Sequence, residues 1–362
     1  MPTVMIIPSG IGCSIGGFAG DAIPTARLLA AASGCLITHP NVLNGASLYW
    51  NDPRIHYVEG YALDKFAKGD IALKLVKGQK IGLLLDAGLN PVLRKRHLQV
   101  VDACRASLGL NIGPVVTTEV PLQITIKTGP SGSSWGELLN PDELLRAGEK
   151  LKNAGVNAVA VVTSFTDLES NEELNSYRQG EGVDVLAGAE AIISHLLVRH
   201  LSLPCAHAPA LAELPLEFDL DPRIAGEEIG HTFLPCVLVG LSRAPQFIQN
   251  FHSNFPPTNN SSGLIYSDQI GAIVIPEGAL GGEAVLASLE KKVPLIIVKN
   301  RNVLNVSLEK FIGAASTQNK NNLLIFKAEN YLEAAGLVTL LREGISLESI
   351  KRPINPITEL DN

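Results

Sequence analysis

The chain has 362 residues, 46% apolar and only 18% charged, with a net charge of −7. That length corresponds to about two domains, and the apolar share builds real cores, which excludes a disordered chain. The acidic balance excludes a nonspecific nucleic-acid binder, which needs a basic footprint; Arg94-Lys95-Arg96, the one compact basic cluster, reads as a solvated helix start.

In chain order, the apolar run Val4–Ile7 reads as a buried strand that breaks at Pro8. A loop through Ser9, Gly10, Gly12, Gly16 and Gly17 leads to a helix near Asp21–Ala32, with Asp21 as N-cap and Gly34 as stop. Strand Cys35–Thr38 opens into the polar loop His39-Pro40-Asn41-Val42-Leu43-Asn44-Gly45. Strands near Ile55–Val58 and Ile81–Leu85 precede a helix from Pro91 to Leu108. Val115–Glu119 and Gln123–Lys127 read as consecutive strands with hairpin character, followed by the small-residue loop Gly129–Gly136. Further on come helix Pro141–Asn153, the Val-rich strand Val156–Val162 and helix Val185–Leu201. Strands are expected at Cys236–Gly240, Ala272–Ile275, Leu295–Val298 and Leu323–Phe326, with helices at Leu280–Lys291 and Glu329–Arg342. Asn250–Gly263 reads as a loop or lid. Such alternation implies mainly parallel sheets covered on both faces. The expected class is α/β, with two lobes that each carry a Rossmann-like sheet and flanking helices. The division expected is an N-terminal lobe over 1–130, a C-terminal lobe over 131–350 and a loosely held tail over 351–362.

The five cysteines, Cys13, Cys35, Cys104, Cys205 and Cys236, are scattered with no C-x-x-C pair, as free thiols in a reducing compartment are. Met1-Pro2-Thr3-Val4 has no basic leader, and no apolar run reaches a membrane span. A cytoplasmic protein without a membrane partner is therefore expected.

Two glycine-rich turns carry the main functional expectation. Ser9, Gly10, Gly12, Gly16 and Gly17 follow one apolar strand, and Gly278, Gly281 and Gly282 follow another. Each turn opens a helix, and unpaired N–H groups at a helix start can take up an anion. The plainer alternative is close packing of strand against helix with no ligand. Neither turn matches the dinucleotide fingerprint or the P-loop. Glu277 is expected at a strand tip, where ligands of open parallel sheets bind, while Glu283 in a first helical turn also serves the helix dipole. His39, Asn41 and Asn44 can orient a polar ligand or move a proton, although Asn also simply forms turns.

His195, His200, Cys205 and His207 form a sequence cluster that invites a metal reading. His195 and His200 are five positions apart, which puts them on different helix faces, so no metal ligand is assigned and His207 is kept as a single functional candidate. Arg243, expected just past a strand, suits capture of a carboxylate or phosphate, with an ordinary ion pair as the alternative. Arg178 and Asp184 bracket a polar loop that can close over a site. Trp135 is a candidate stacking platform or a core residue. Cys13, in a glycine loop before a helix, is a candidate thiolate with Cys236 as a second thiol, but the residues around them match no two-thiol enzyme.

Several segments resemble one uncharacterised family, domain of unknown function 3326, associated with oxygenic phototrophs. They include Gly10-Ile11-Gly12…Ile15-Gly16-Gly17-Phe18-Ala19-Gly20-Asp21-Ala22, Thr38–Ala46, Tyr57-Val58-Glu59-Gly60-Tyr61 and Gly188–His195. Pro204–Leu211 and Phe233–Pro245 belong with them, so the likeness runs over nearly the whole chain. The resemblance implies a photosynthetic cell, or the plastid stroma for plant relatives, and brings no activity, cofactor or catalytic residue. The leading expectation is an enzyme that binds a small anionic metabolite, phosphate- or carboxylate-bearing, in a cleft between the lobes. His39, His207 and Glu277 are its acid–base groups; the glycine loops, Asn41, Asn44 and Arg243 hold the ligand. The reaction and cofactor are unspecified, and a homo-oligomer is left open. A non-catalytic metabolite-binding or assembly factor is the alternative, and a metal-dependent hydrolase or lyase a further one.

Overall fold

A computed structural model describes the chain except for residues 9–11, 19, 46, 130–132, 166–171, 213–214, 229–232, 250–262, 302–305, 308–323, 355 and 358–362. The expected lid, except for Gly263, and two expected ligand-binding residues, Ser9 and Gly10, thus fall outside the described residues. Four sheets hold the described strands. β1 (Pro2–Met5), β2 (Cys35–Thr38) and β3 (Ile55–Tyr57) come from the start of the chain. They join β13 (Ala272–Pro276), β14 (Leu295–Val298) and β15 (Ile325–Ala328) in one six-stranded sheet. All its pairings are parallel, in the order β15-β14-β13-β1-β2-β3. That is the order of a doubly wound Rossmann-type sheet, with its switch point between β1 and β13.

Residues between β3 and β13 build the rest. β5 (Ile81–Leu85), β6 (Ile112–Thr117), β9 (Ala158–Ser164) and β10 (Cys205–Ala210) form a second parallel sheet in the order β10-β9-β5-β6. A small antiparallel sheet pairs β4 (Ala72–Lys74) with β11 (Gln246–Ile248) and β12 (Leu264–Ile265). β7 (Ile124–Thr128) and β8 (Ser134–Leu138) make a hairpin. The two parallel sheets therefore do not divide the chain near residue 130. The first sheet uses both ends of the chain, and the second lies within the segment between them.

The strand cores follow from composition: β5, β13 and β14 are runs of Ile, Leu, Val, Ala, Gly and one Pro, buried along their whole length, as strands covered on both faces must be. One apolar cluster holds Met5 and Leu36 from the first sheet, Leu83 and Ala160 from the second, and Leu238 between them. Alternate residues of the same strands, Val4, Ile37, Leu84 and Val159, point into a second cluster. Both sheets share both clusters.

Two local expectations are corrected. Cys236–Gly240 is not a strand but part of the helix Phe233–Ser242, which is apolar on nearly every side. Periodicity cannot separate a buried strand from a buried helix; its length and a Pro in its first turn agree with the helix. The hairpin is also displaced by one strand. β6 lies parallel to β5, and Ile124–Thr128 turns back on Ser134–Leu138 instead.

Candidate active site

A cavity opens where the C-terminal ends of β2 and β3 face β10 and the helix Ala187–Leu201. It has two adjoining chambers of about 70 and 50 Å³ that share Asn44, Asp184, Glu190 and His207 as lining residues. A single water needs roughly 10–15 Å³ on this measure, so the space suits a small molecule. The first chamber is the more polar of the two, bounded by His39, Glu59 and His195. The second is mainly apolar, bounded by Leu186, Leu211, Phe233 and Val237.

His39 leaves β2 as the N-cap residue of the short helix Pro40–Leu43. Its Nε2 accepts a hydrogen bond from the Ile7 backbone N–H at 3.0 Å, so that nitrogen carries no proton. Burial, with a smaller contribution from His195, pulls its pKa down to about 4. The ring is neutral and, with Nε2 an acceptor, has its proton on Nδ1.

His195 is the opposite case. Its Nδ1 lies 2.7 Å from Glu59 Oε1 and also contacts the Ala191 carbonyl. Burial works against its charge, but the Glu59 hydrogen bond and carboxylate outweigh that and raise its pKa. Glu59 is itself fixed: Oε2 accepts the backbone N–H of Tyr61 at 2.8 Å and of Ala62 at 3.4 Å, capping the helix Gly60–Lys68. Gly60 lets this helix start approach, since a Cβ there would sit 3.1 Å from the His195 ring.

His207 lies within β10, one strand from Thr163 of β9. The register places Val161 beside His207, so Thr163, two residues on, shares its face. Nε2 contacts the Thr163 hydroxyl, and Nδ1 points toward Glu190 Oε1, 3.4 Å away. Phe165 packs edge-on against the ring at 5.6 Å between centroids. The helix Ala187–Leu201 supplies the cavity wall through Ala187, Glu190, Ala191, Ser194 and His195, a spacing that follows one helix face. Just before that helix, Asp184 Oδ1 accepts the Leu186 N–H at 2.9 Å. Burial and the neighbouring Glu190 carboxylate push Asp184 well above the usual carboxylate range.

The polar loop supplies supports as well as wall. Asn41 Nδ2 reaches the carbonyls of Ile7, Pro8 and Gly16 at 3.4–3.5 Å, tying the first glycine loop to the cavity edge. Asn44 Oδ1 accepts the Tyr57 hydroxyl at 2.8 Å, which leaves its amide N–H₂ for other partners.

Of the residues expected from sequence, His39, Asn41, Asn44 and His207 come together here. The glycine loops do not join them. They flank the switch point of the first sheet, and protein groups occupy several of the backbone donors described there. Gly16 N–H donates to Asp21 Oδ1 at 2.7 Å, and burial raises that carboxyl to about 6 despite the bond. A Cβ on Gly16, which has φ +82°, would meet the Ile7 side chain at 2.5 Å. One on Gly17 would meet the Cys13 carbonyl at the same distance, and one on Gly12 would touch Val183 at 3.4 Å. These glycines allow close packing. At the second loop Gly282 caps the helix Glu283–Glu290, whose Ala284 N–H donates to Asp64 Oδ1 at 2.9 Å. Glu283 pairs with Lys68. Gly278 makes its turn at φ +86°, and Gly281 stands beside Val306. Glu277 is exposed beyond β13, its N–H bonded to the Val298 carbonyl at 2.7 Å.

Arg243 is exposed at the far end of the helix Phe233–Ser242 and lines a different groove with Asn51 and Lys77. Val237 is the last residue of that helix to line the cavity, so six residues, about 9 Å of helix, separate Arg243 from it. Burial pushes the Cys13 thiol up to about 11, the reverse of a nucleophile. Cys236 is buried and accepts the Leu48 N–H at 3.3 Å. His200 pairs with Glu149 on the surface. Among the described residues no three His, Cys, Asp or Glu side chains are grouped to hold a metal.

Residues 2–351 match a family described as a protein of unknown function, DUF3326. An uncharacterised lipoprotein of a Synechococcus strain is 50% identical over 307 residues, 84% of each chain. The chain belongs to this family. The cyanobacterial source of that relative agrees with the phototrophic setting the resemblance implies. Among the described residues, no helix is long and apolar enough to cross a membrane.

Three groups of the cavity were missed as site residues: Glu59, Glu190 and His195. Glu is not a usual N-cap residue, which hid Glu59. Glu190 and His195 are five apart, so helical spacing does not pair them at first sight. The available signal was positional, since all three lie in segments that carry the family likeness.

Proposed function

We propose that this protein is an enzyme doing acid–base chemistry on a small polar molecule held among His39, His207, Asp184 and Glu190. One observation supports the reading most. Around a single cavity, the surroundings drive titratable groups in opposite directions: His39 down to about 4, His195 up, and Asp184 up. Such divergence is how one site keeps an acid and a base available together. His207 lines the same space, its Nδ1 3.4 Å from Glu190 Oε1, and is the group best placed to exchange a proton with a ligand. The carboxylates make the cavity unfavourable for the anionic metabolite that the glycine loops suggested. A neutral or cationic molecule suits it better.

The test is to incubate purified protein with a polar metabolite extract and follow each component by mass spectrometry. One or more components should be consumed by the wild type and spared by His207→Gln and Glu190→Gln. If the wild type consumes nothing, or both variants match it, the reading is wrong.

We also place the protein in the cytoplasm, as its free thiols suggest. Recovery of the protein in the membrane fraction with an added acyl mass would overturn this placement.

A further inference from the structure

We infer that the cavity binds a protonated primary amine with an apolar substituent, its ammonium held by Asp184, Glu190 and His207 Nδ1. The inference rests on the cavity being the functional site, and it specifies the class of molecule that site takes.

Charge matching in the wall comes first. Arg178 lines the apolar chamber, but Glu228 holds it in a two-bond fork at 2.7 and 3.1 Å, and the Pro215 carbonyl takes a further N–H. His195 is matched by Glu59. Each cation of the wall thus already has its own carboxylate. Asp184 and Glu190 do not have one: no Lys or Arg among the described residues is paired with either, and burial, with repulsion from Glu190 added to it, raises Asp184. A cation between them removes that repulsion.

His207 gives an independent indication. Its side chain is only 1% exposed, and Nδ1 makes no hydrogen bond among the described residues, although Glu190 lies 3.4 Å away. Buried polar atoms are nearly always paired, and His207 is a lining residue of both chambers. In the tautomer whose Nε2–H donates to the Thr163 hydroxyl, Nδ1 is bare and can accept one N–H. An ammonium has three donors and no acceptor; His207, Glu190 and Asp184, which line both chambers, offer it acceptors. A carboxylate or phosphate would meet acceptors instead of donors there.

The rest of the molecule follows from the second chamber. Tyr177, Leu186, Leu211, Ile224, Phe233 and Val237 give it an apolar wall next to the proposed ammonium position. A short branched alkyl or a ring fits that surface, and a polar chain does not.

The experiment uses the whole protein and three probes of one shape: 3-methylbutylamine, 3-methylbutan-1-ol and 4-methylpentanoate, each titrated by calorimetry. The amine should bind roughly ten- to a hundredfold more tightly than the alcohol, as loss of a charge-assisted contact requires, and the acid should not bind. Glu190→Gln and Asp184→Asn should each remove most of that preference, with circular dichroism confirming that they fold. An amine no tighter than the alcohol, or a preference untouched by both variants, overturns the inference. Failure here is separable from failure of the enzymatic reading. Consumption of an uncharged metabolite that depends on His207 keeps the enzyme and rejects the amine. Amine binding without turnover of any metabolite keeps the amine and rejects the enzyme.

Discussion

His39 is kept neutral by the same contact that positions it. The Ile7 N–H can donate to Nε2 only while that nitrogen is unprotonated, so charging the ring breaks the bond as well as burying a cation. The sign of its linkage to stability follows. The folded-state pKa, about 4, lies below the ordinary value of 6.5. The unfolded chain therefore binds the proton more readily, and the contribution is complete above pH 6.5 and lost as pH falls toward 4. The full span corresponds to about 3 kcal/mol. Asp21 and Asp184, whose carboxyls are raised, act in the opposite direction, because the folded state holds their protons longer. The total pH profile mixes these effects, but the difference between wild type and His39→Gln isolates one. That difference in unfolding free energy should be largest near pH 7 and shrink steadily toward pH 4. A difference that stays constant over this range would show that His39 titrates normally.

At the level of elements, the start of the helix Gly60–Lys68 and the face of Ala187–Leu201 are joined by a single side chain. Glu59 caps the first through Oε2 and charges the second through Oε1. Glu59→Gln keeps an oxygen for the cap and removes the charge from His195. The His195 titration midpoint, followed by proton NMR of the ring, should then fall, with stability lost by only about 1 kcal/mol as the cap weakens. An unchanged midpoint would mean that Ala191 and Asp64 hold His195 protonated without Glu59. Elements such as Pro91–Leu108 and Pro141–Asn153 were legible in the sequence because Pro opens each of them, and Gly109 closes the first. Leu295–Val298 was legible because a parallel strand covered on both faces is continuously apolar. Phe233–Ser242 was not, because a helix packed on nearly every side has no polar stripe to mark its period. The site was half legible for a related reason. His39, Asn44 and His207 are types that suggest chemistry wherever they stand, whereas Glu59 and Glu190 become informative only once folding brings them to an imidazole.

For the whole molecule, what local patterns could not reveal is the pairing of the chain's two ends, with Thr3 beside Ala272 at the centre of the first sheet. Two lobes read in succession would each own a sheet and a core. Here the segment between β3 and β13 carries the second sheet, and the faces of both sheets close on common clusters. Met5, Leu36, Val274, Leu83, Leu85 and Leu238 all belong to one of these clusters and are fully buried. At ~2 kcal/mol for each large apolar side chain exposed, releasing either sheet alone costs about as much as the whole stability of a domain, ~5–15 kcal/mol. Partial unfolding should therefore not be populated. Scanning calorimetry is expected to give one transition whose calorimetric and van't Hoff enthalpies agree, the signature of all-or-none melting. The cavity lies on the seam between the sheets, so a ligand that fills it should shift that single transition upward as a unit. Two resolved peaks, with ligand moving only one of them, would show that the sheets melt separately and that the shared clusters contribute little to holding the site together.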